Sequence, residues 1–263
     1  IEIKNKMQLF PKMVFIQRSR GYSWRKAVSI EEIKNVIKLI KFINSNTIVL
    51  VDNCYGEFVE VGEPSSVGAD LVVGSLIKNP GGGLAKTGGY IVGKSELIHK
   101  VSCRLTSPGM GKEVGPSLGQ NRNMYQGVFN APHVVGESLK GAIFCANIME
   151  ELGFDTSPHS TQLRNDIVQA IKFNDENILI EFCRGIQQGS PVDSFIELSP
   201  WDMPGYDNQI IMAAGGFVQG ASIELSADAP IKEPYIAYMQ GGLVYENTKL
   251  AVMIAIQDRK SVV

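Results

Sequence analysis

The chain has 263 residues, a net charge of −2 and 44% hydrophobic residues, which are typical values for a globular protein of one large or two ordinary domains. The slightly acidic balance argues against nucleic acid or an anionic membrane surface as the main partner. No apolar run approaches the about 20 residues that a membrane-spanning helix needs, so we expect no membrane segment.

The cysteines and histidines are too scattered to predict a metal or redox site. The four cysteines are widely separated and form no C-x-x-C pair. We therefore expect free thiols in a reducing compartment, which indicates a cytoplasmic protein. The three histidines share no metal-ligand spacing.

The first third of the chain predicts strands that alternate with a helix. A helix is expected from Ser29 to Asn44, because Ser29 and Glu32 fit a capping box and four isoleucines follow at helical spacing. The predicted strands are Met13–Ile16, Thr47–Val51, Leu71–Val73 and Tyr90–Val92. Such alternation is typical of a mainly parallel α/β sheet, in which ligands bind outside the carboxyl ends of the strands. Gln17, Asp52 and Ser75 follow three of these strands.

The rest of the chain changes character. The stretch from Arg104 to Gly119 is rich in Gly, Pro and Ser, as in an active-site loop or a domain link. Helices are predicted at Val134–Leu152, 162–173, 176–187 and 245–256, and strands at 194–198, 209–212 and 217–225. This pattern favours a second, α+β domain, so residues 1–133 are interpreted as part of a large domain and residues 134–263 as a C-terminal small domain.

Asp52, Ser75 and Lys78 are unremarkable individually but form a chemical set together. Alone, Asp52 is typical of a cap or turn, Ser75 of a turn and Lys78 of a solvated surface. Together they offer an anion for a protonated pyridine nitrogen, a hydroxyl for a phosphate and a primary amine for an aldehyde. Those are the three reactive groups of pyridoxal 5'-phosphate (PLP). At about 4 Å and an effective dielectric of about 20, the anion–pyridinium attraction is about 4 kcal/mol before desolvation.

The segments around these residues resemble a known enzyme family over nearly the whole chain. The pattern V-D-N-T, then G-A-D, then S-x-T-K marks fold-type-I PLP enzymes of cysteine and methionine metabolism, and this sequence has "VDNCYGEF" and "GADLVVGSLIKNPGG". The segments "QRSRGY", "APHVVGESLKGAIF" and "SIELSADAPIKEPYIAYMQGGL" are similar to the methionine γ-lyase-like branch often labelled aluminium resistance protein.

The resemblance implies a role for each matching residue. Lys78 corresponds to the lysine that forms the Schiff base and shuttles the Cα proton, Asp52 to the partner of the ring nitrogen, and Ser75 to a phosphate ligand. Gln17 or Arg18 is expected near the ring hydroxyl of the cofactor or near the substrate. Tyr55 is interpreted either as a residue that orients the ring or leaving group, or as a core tyrosine.

Three departures from the family pattern stand out. Ile77 replaces the threonine before the lysine, and "GASIELSAD" lacks the usual carboxylate-binding arginine. Arg104 is the candidate replacement, with a surface ion pair as the alternative. Only 51 residues precede Asp52, too few for the upstream phosphate-binding turn and ring-stacking aromatic, so we expect the N-terminal part of the fold to be missing.

The sequence therefore predicts a PLP-dependent carbon–sulfur lyase that acts by β- or γ-elimination on a small sulfur-containing amino acid such as cystathionine, methionine or cysteine. The resemblance implies a homodimer or homotetramer. A PLP-dependent aminotransferase and a non-catalytic, dimerising remnant of the fold are the alternatives. A phosphate-binding P-loop is rejected for "PGGGLAKTGG", because Pro80 and Ala85 occupy its required glycine positions.

Overall fold

The computed structural model describes residues 2–115 and 117–257 and contains two sheets with helices packed against them. Its helices, within these residues, are α1 (Glu2–Met7), α2 (Ile30–Ile43), α3 (Ser95–Leu105), α4 (Asn121–Glu151), α5 (Glu176–Gln188) and α6 (Tyr245–Gln257). Its strands are β1 (Met13–Gln17), β2 (Ile48–Asp52), β3 (Leu71–Ser75), β4 (Gly89–Gly93), β5 (Asp155–Ser157), β6 (Gln169–Lys172), β7 (Ile210–Ala213), β8 (Ser226–Pro230) and β9 (Ile236–Gln240).

The first sheet has the order β1-β2-β3-β4. Strands β1, β2 and β3 are parallel, as predicted, whereas β4 runs antiparallel to β3. Gln17 pairs with Asp52, and Asp52 pairs with Val73 in the next strand. The carboxyl ends of the three parallel strands therefore meet at one edge of the sheet, which we call the carboxyl edge.

Helix α2 covers one face of this sheet for reasons visible in the sequence. The Ser29 hydroxyl accepts a hydrogen bond from the Glu32 N–H, and the Glu32 carboxylate accepts one from the Ser29 N–H, so the predicted capping box is confirmed. Ile33 and Ile40 are fully buried against Val49 and Val51 of β2. Burying one such side chain contributes about 1.5–3 kcal/mol, so this packing holds the carboxyl edge in place.

The second sheet is antiparallel throughout and has the order β5-β6-β9-β8-β7. Its main core lies between the sheet and helices α4, α5 and α6. The predicted helices at 176–187 and 245–256 are confirmed as α5 and α6, and the predicted strand at 209–212 as β7. The boundary between residues 133 and 134 stays a prediction.

Three predicted elements in this half were wrong. The helix expected at 162–173 is an irregular segment followed by strand β6. Strand β6 lies between two neighbouring strands, and its residues Gln169, Ala170 and Ile171 are buried on both faces. A short run that is buried on both faces shows no alternation, so its periodicity cannot separate strand from helix. The segment 194–198 forms no strand.

The strand expected at 217–225 is a loop that ends in a 3-10 turn, Ser222–Glu224. The Glu224 carboxylate accepts hydrogen bonds from the Phe217 and Val218 N–H groups, so these backbone donors are satisfied without a neighbouring strand. Strand pairing begins at Ser226, the first residue of β8 and one residue after the end of the predicted strand. Neither β8 nor β9 was predicted from the sequence.

Helix α4 begins at Asn121, 13 residues before the predicted start at Val134, and it contains Pro132. The predicted loop from Arg104 to Gly119 overlaps the end of α3, and its Pro116 lies outside the described residues. The four cysteines form no disulfide bond. Within the described ranges, none of the helices is long and apolar enough to cross a membrane.

Candidate active site

The carboxyl edge brings Gln17, Asp52 and Ser75 to one side of the first sheet. Gln17 and Asp52 are directly paired, and Ser75 lies two residues beyond Val73, the partner of Asp52. Asp52 Oδ1 accepts a hydrogen bond of 3.0 Å from the Cys54 N–H, an Asx-type turn that directs the chain away from the strand. The structure therefore places the predicted ring-nitrogen and phosphate partners on neighbouring strands.

Lys78 follows β3 in a tight turn. Its N–H donates to the Ser75 carbonyl at 3.3 Å, and a 3-10 turn from Asn79 to Gly81 comes next. A Cβ at Gly81 would overlap the Leu76 carbonyl, and one at Gly82 would lie 2.6 Å from the Gly127 carbonyl of α4. The glycines thus allow the turn to pack closely on α4, which fixes the position of the lysine backbone.

The Lys78 amine lies over an aromatic ring rather than against a carboxylate. Its Nζ is 5.0 Å from the centroid of the Tyr55 ring. In the described part of the chain, no carboxylate oxygen is within 4.0 Å of this nitrogen. Tyr55 has a positive φ of 70°, a backbone conformation that L residues rarely adopt, and its hydroxyl is 3.1 Å from Ser222 Oγ. The strained turn therefore holds a phenol ring beneath the amine.

The Cys54 thiol is affected by the charges of both Lys78 and Asp52. Burial raises the pKa of the Cys54 thiol to about 12; the Lys78 charge lowers it and the Asp52 charge raises it. Both groups are therefore close enough to this thiol to act on it. The high pKa keeps the thiol protonated, so Cys54 is not set up as a nucleophile.

A cleft of about 240 Å³ separates the Lys78 turn from the second sheet. Lys78, Tyr55 and Tyr22 line it from the first half of the chain, and Tyr206 and Asp228 from the second. A neighbouring cavity of about 200 Å³ shares Tyr22, Tyr55, Tyr206 and Asp228. The site therefore depends on both sheets.

Arg18 and Arg104 are placed differently from these residues. Arg18 is fully buried and donates hydrogen bonds to the Asn53 side chain at 2.7 Å and to Glu60 at 2.8 Å. Asn53 in turn donates to Glu63 and to Tyr90, and the Tyr90 hydroxyl donates to Glu57. We call this group the Arg18 network; its members are Arg18, Asn53, Glu57, Glu60, Glu63 and Tyr90. Arg104 is exposed on α3, and neither arginine lines the cleft.

Sequence reasoning missed the contribution of the second sheet. The segment "SIELSADAP" supported the family resemblance and lacked the usual arginine, but its Asp228 was not predicted as a site residue, whereas the structure places it in the cleft wall. Tyr22 and Ser222 were missed as well. The available signal was a carboxylate inside a continuous buried strand, which requires a partner or a function.

Comparison with known proteins assigns the family. The profile of the methionine gamma-lyase family matches residues 1–260. The uncharacterized protein YnbB of Bacillus subtilis (strain 168) is 56% identical over 247 residues, which make up 94% of this chain and 59% of that protein. The solved structure of a carbon-sulfur lyase involved in aluminum resistance from Clostridium novyi NT has 53% identity and a TM-score of 0.92, and the match covers 100% of this chain and 60% of that chain.

The chain thus spans about three-fifths of the length of these two relatives. Cystathionine gamma-lyase from yeast matches with a TM-score of 0.60 at 14% identity, over 97% of this chain and 68% of that chain, and so shares the fold. The resemblance to the aluminium resistance branch, read from the sequence motifs, is confirmed by these matches. The chain belongs to the methionine gamma-lyase family.

Proposed function

We propose that this chain forms the lysine-bearing part of a PLP-dependent carbon–sulfur lyase acting on a sulfur-containing amino acid. The observation that carries the proposal is the Lys78 amine, which faces a cleft without a carboxylate partner and lies beside the edge that holds Asp52 and Ser75. The family match and the carbon-sulfur lyase from Clostridium novyi NT support the reaction class.

The chemistry of the side chains fits PLP. A primary amine suits the aldehyde, and at the carboxyl edge the Asp52 carboxylate suits the pyridinium nitrogen and the Ser75 hydroxyl suits the phosphate. Asp52 Oδ1 accepts a hydrogen bond from the Cys54 N–H, and the Cys54 thiol also hydrogen-bonds to this carboxylate, so a ring N–H is proposed to share Asp52 with Cys54. Gln17 is exposed on the neighbouring strand and is proposed to contact the ring hydroxyl.

When bound, PLP supplies an electron sink that acidifies the Cα–H bond of an amino acid. The part of Lys78 is then to hold and move a proton at Nζ. Its backbone is fixed by the packed turn and its amine by the Tyr55 ring, and such positioning can give effective molarities on the order of 10⁵ M or more. Cleavage of the carbon–sulfur bond at Cβ or Cγ releases a thiol, and one water molecule then hydrolyses the remaining unsaturated amino acid to a keto acid and ammonia.

Tyr55 and the cleft contribute positioning and exclusion of water. The Tyr55 hydroxyl, bonded to Ser222, ties the Lys78 side of the cleft to the loop that precedes β8. Burial raises the pKa of the Tyr55 hydroxyl, so it remains a neutral hydrogen-bonding group at physiological pH. It is therefore proposed to orient the reacting groups rather than to act as a base.

Titration with PLP tests the proposal. We expect a visible absorption band on mixing the protein with PLP, and a covalent adduct on the peptide that contains Lys78 after borohydride reduction, detected by mass spectrometry. Lys78→Ala should abolish both signals. Lys86→Ala, which removes an exposed lysine of the same glycine-rich segment, should retain them.

An adduct on a different lysine would contradict the role proposed for Lys78. The absence of any adduct in wild-type protein would contradict the proposal and favour the non-catalytic remnant. Product analysis with cystathionine, methionine and cysteine then separates the substrates. Release of pyruvate would assign β-elimination, and release of 2-oxobutanoate would assign γ-elimination. An amino-group exchange without thiol release would instead support the aminotransferase alternative.

A further inference from the structure

Asp228 is a buried carboxylate that faces the cleft with one oxygen unused. Its residue is 7% exposed, and it lines both the main cleft and the neighbouring cavity. Oδ2 accepts a hydrogen bond of 3.0 Å from Gln240 Nε2 on the adjacent strand β9. Oδ1 accepts none of ordinary geometry from the described residues, although the Tyr22 hydroxyl is close enough to affect the pKa of the carboxyl. An unmet carboxylate oxygen at this depth is costly unless a ligand meets it.

The surroundings of Asp228 suit a cation. Tyr22 packs against Tyr206 and Tyr238, with ring centroids 5.7 and 5.4 Å apart, and all three rings line one or both cavities. Aromatic faces attract ammonium groups, and a carboxylate beside them adds a charge-assisted hydrogen bond. Neither an arginine nor a histidine of the described chain lines either cavity.

Lys78 does not fill this role for Asp228. No ion pair within 4.0 Å joins the two side chains. Burial raises the pKa of Asp228 to about 6, and the Lys78 charge is the weakest of the effects that act in the opposite direction. Under the proposed function the Lys78 amine is also committed to the cofactor and to the Cα proton. Lys78 is the only cationic side chain of the described residues that lines either cavity, so a ligand is left to supply an ion-pair partner for Asp228.

We infer that Asp228, with the Tyr22 ring and hydroxyl, forms a subsite for a positively charged group at the far end of the substrate side chain. The inference rests on the proposed function, because it assumes that the α-amino end of the substrate reacts on the Lys78 side of the cleft. The preferred substrate is then an amino-acid thioether with a second ammonium group beyond the sulfur. A thioether with an uncharged alkyl end lacks this contact.

A matched pair of ligands tests the subsite. S-(2-aminoethyl)-L-cysteine ends in an ammonium group, whereas S-propyl-L-cysteine has a methyl group at the same position. Dissociation constants are measured by isothermal titration calorimetry on protein without added PLP, so that no turnover interferes. We expect wild-type protein to prefer the aminoethyl ligand by about tenfold or more, since a hydrogen bond to a charged group contributes at least that factor.

Asp228→Asn should remove this preference and leave the affinity for S-propyl-L-cysteine unchanged. The substitution preserves an oxygen that can accept the Gln240 hydrogen bond, and a thermal melt verifies folding. Asp202→Asn is the matched control, because it neutralises an exposed carboxylate next to Met203 of the cleft wall. This control should keep the preference.

Equal affinity of wild-type protein for the two ligands, or binding of neither, would overturn the subsite. An equal loss of affinity for both ligands in Asp228→Asn would also overturn the subsite, because the carboxylate would then affect the whole cleft rather than the distal charge of the ligand. The PLP titration separates this failure from failure of the proposed function. A lysine adduct without a cation preference refutes the subsite alone, and a cation preference without an adduct refutes the lyase proposal alone.

Discussion

The turn from Asp52 to Glu57 contributes to two buried charged regions, and their charges are met in different ways. In the Arg18 network, the guanidinium bonds to Asn53, to the Gly56 carbonyl and to Glu60, so its charge is met within the protein. In the cleft, Lys78 and Asp228 lie near each other without forming an ion pair. Removing the partner of a buried charge destabilises the fold, whereas a buried charge that lines a cleft without an ion-pair partner is a candidate for ligand binding.

The largest expected effect lies in the Arg18 network. Arg18→Ala leaves Glu60 and the Asn53 side chain without their buried partner, and breaking such a pair costs about 3–5 kcal/mol of unfolding free energy. Urea denaturation followed by circular dichroism measures this loss. Arg104→Ala, at an exposed position, is the control and should change stability by less than about 0.5 kcal/mol. A loss of similar size in both variants would show that the hydrogen bonds of Arg18 do not contribute specially to stability.

Glu57 provides a pH test of the same network. Burial raises its pKa from 4.5 to about 8, so between these values the folded state holds a proton that the unfolded state has released. The free energy of unfolding should therefore fall as pH rises from 4.5 to 8, by about 1 kcal/mol per pH unit from this group. Denaturation of wild-type protein and Glu57→Gln across this window isolates the contribution. Parallel pH profiles for the two proteins would show that Glu57 titrates normally.

Substitution of Asp228 should stabilise the protein, whereas substitution of Arg18 should destabilise it. Its pKa is raised from 3.8 to about 6, so at pH 7 the folded protein holds a carboxylate that burial disfavours. Asp228→Asn should then raise the free energy of unfolding at pH 7 by on the order of 1 kcal/mol, and the gain should fade as pH falls from about 6 to about 4. Calorimetric melting at pH 7 and pH 4 measures both values. A destabilised variant would place Asp228 with the structural charges.

The smallest effect concerns the contact between the two halves of the chain. Tyr55→Phe removes the hydrogen bond to Ser222 and should cost about 0.5–1.5 kcal/mol. A double-mutant cycle with Ser222→Ala isolates the pair, because the second change should add little once the first has been made. Fully additive losses would mean that the two hydroxyls do not interact in solution.

The first sheet was predictable because local rules decide it. The capping box of α2, its isoleucine stripe and the apolar strands each indicate the same α/β unit. Parallel topology then places Asp52 and Ser75 at one edge, whatever the details of side-chain packing. The position of Lys78 follows from its short distance along the chain from β3.

The second sheet was harder because its elements depend on distant pairing. Strand β6 forms only between β5 and β9, and the loop before β8 is held by Glu224 rather than by any turn motif. Asp228 is more than 140 residues from Lys78, and their proximity arises from the packing of the two halves. No pattern in a single sequence reports such a contact.

The positive φ of Tyr55 constrains redesign of this protein. Residues 52–57 contribute to three parts of the molecule. Asp52 lies at the carboxyl edge, Tyr55 lines the cleft, and Asn53 and Glu57 belong to the Arg18 network. Because these residues are consecutive, a substitution that loosens the Arg18 network would also shift the Tyr55 ring in the cleft. Laboratory selection for new substrates should therefore recover beneficial changes in the interior of the protein, at positions that never contact the molecule being selected for.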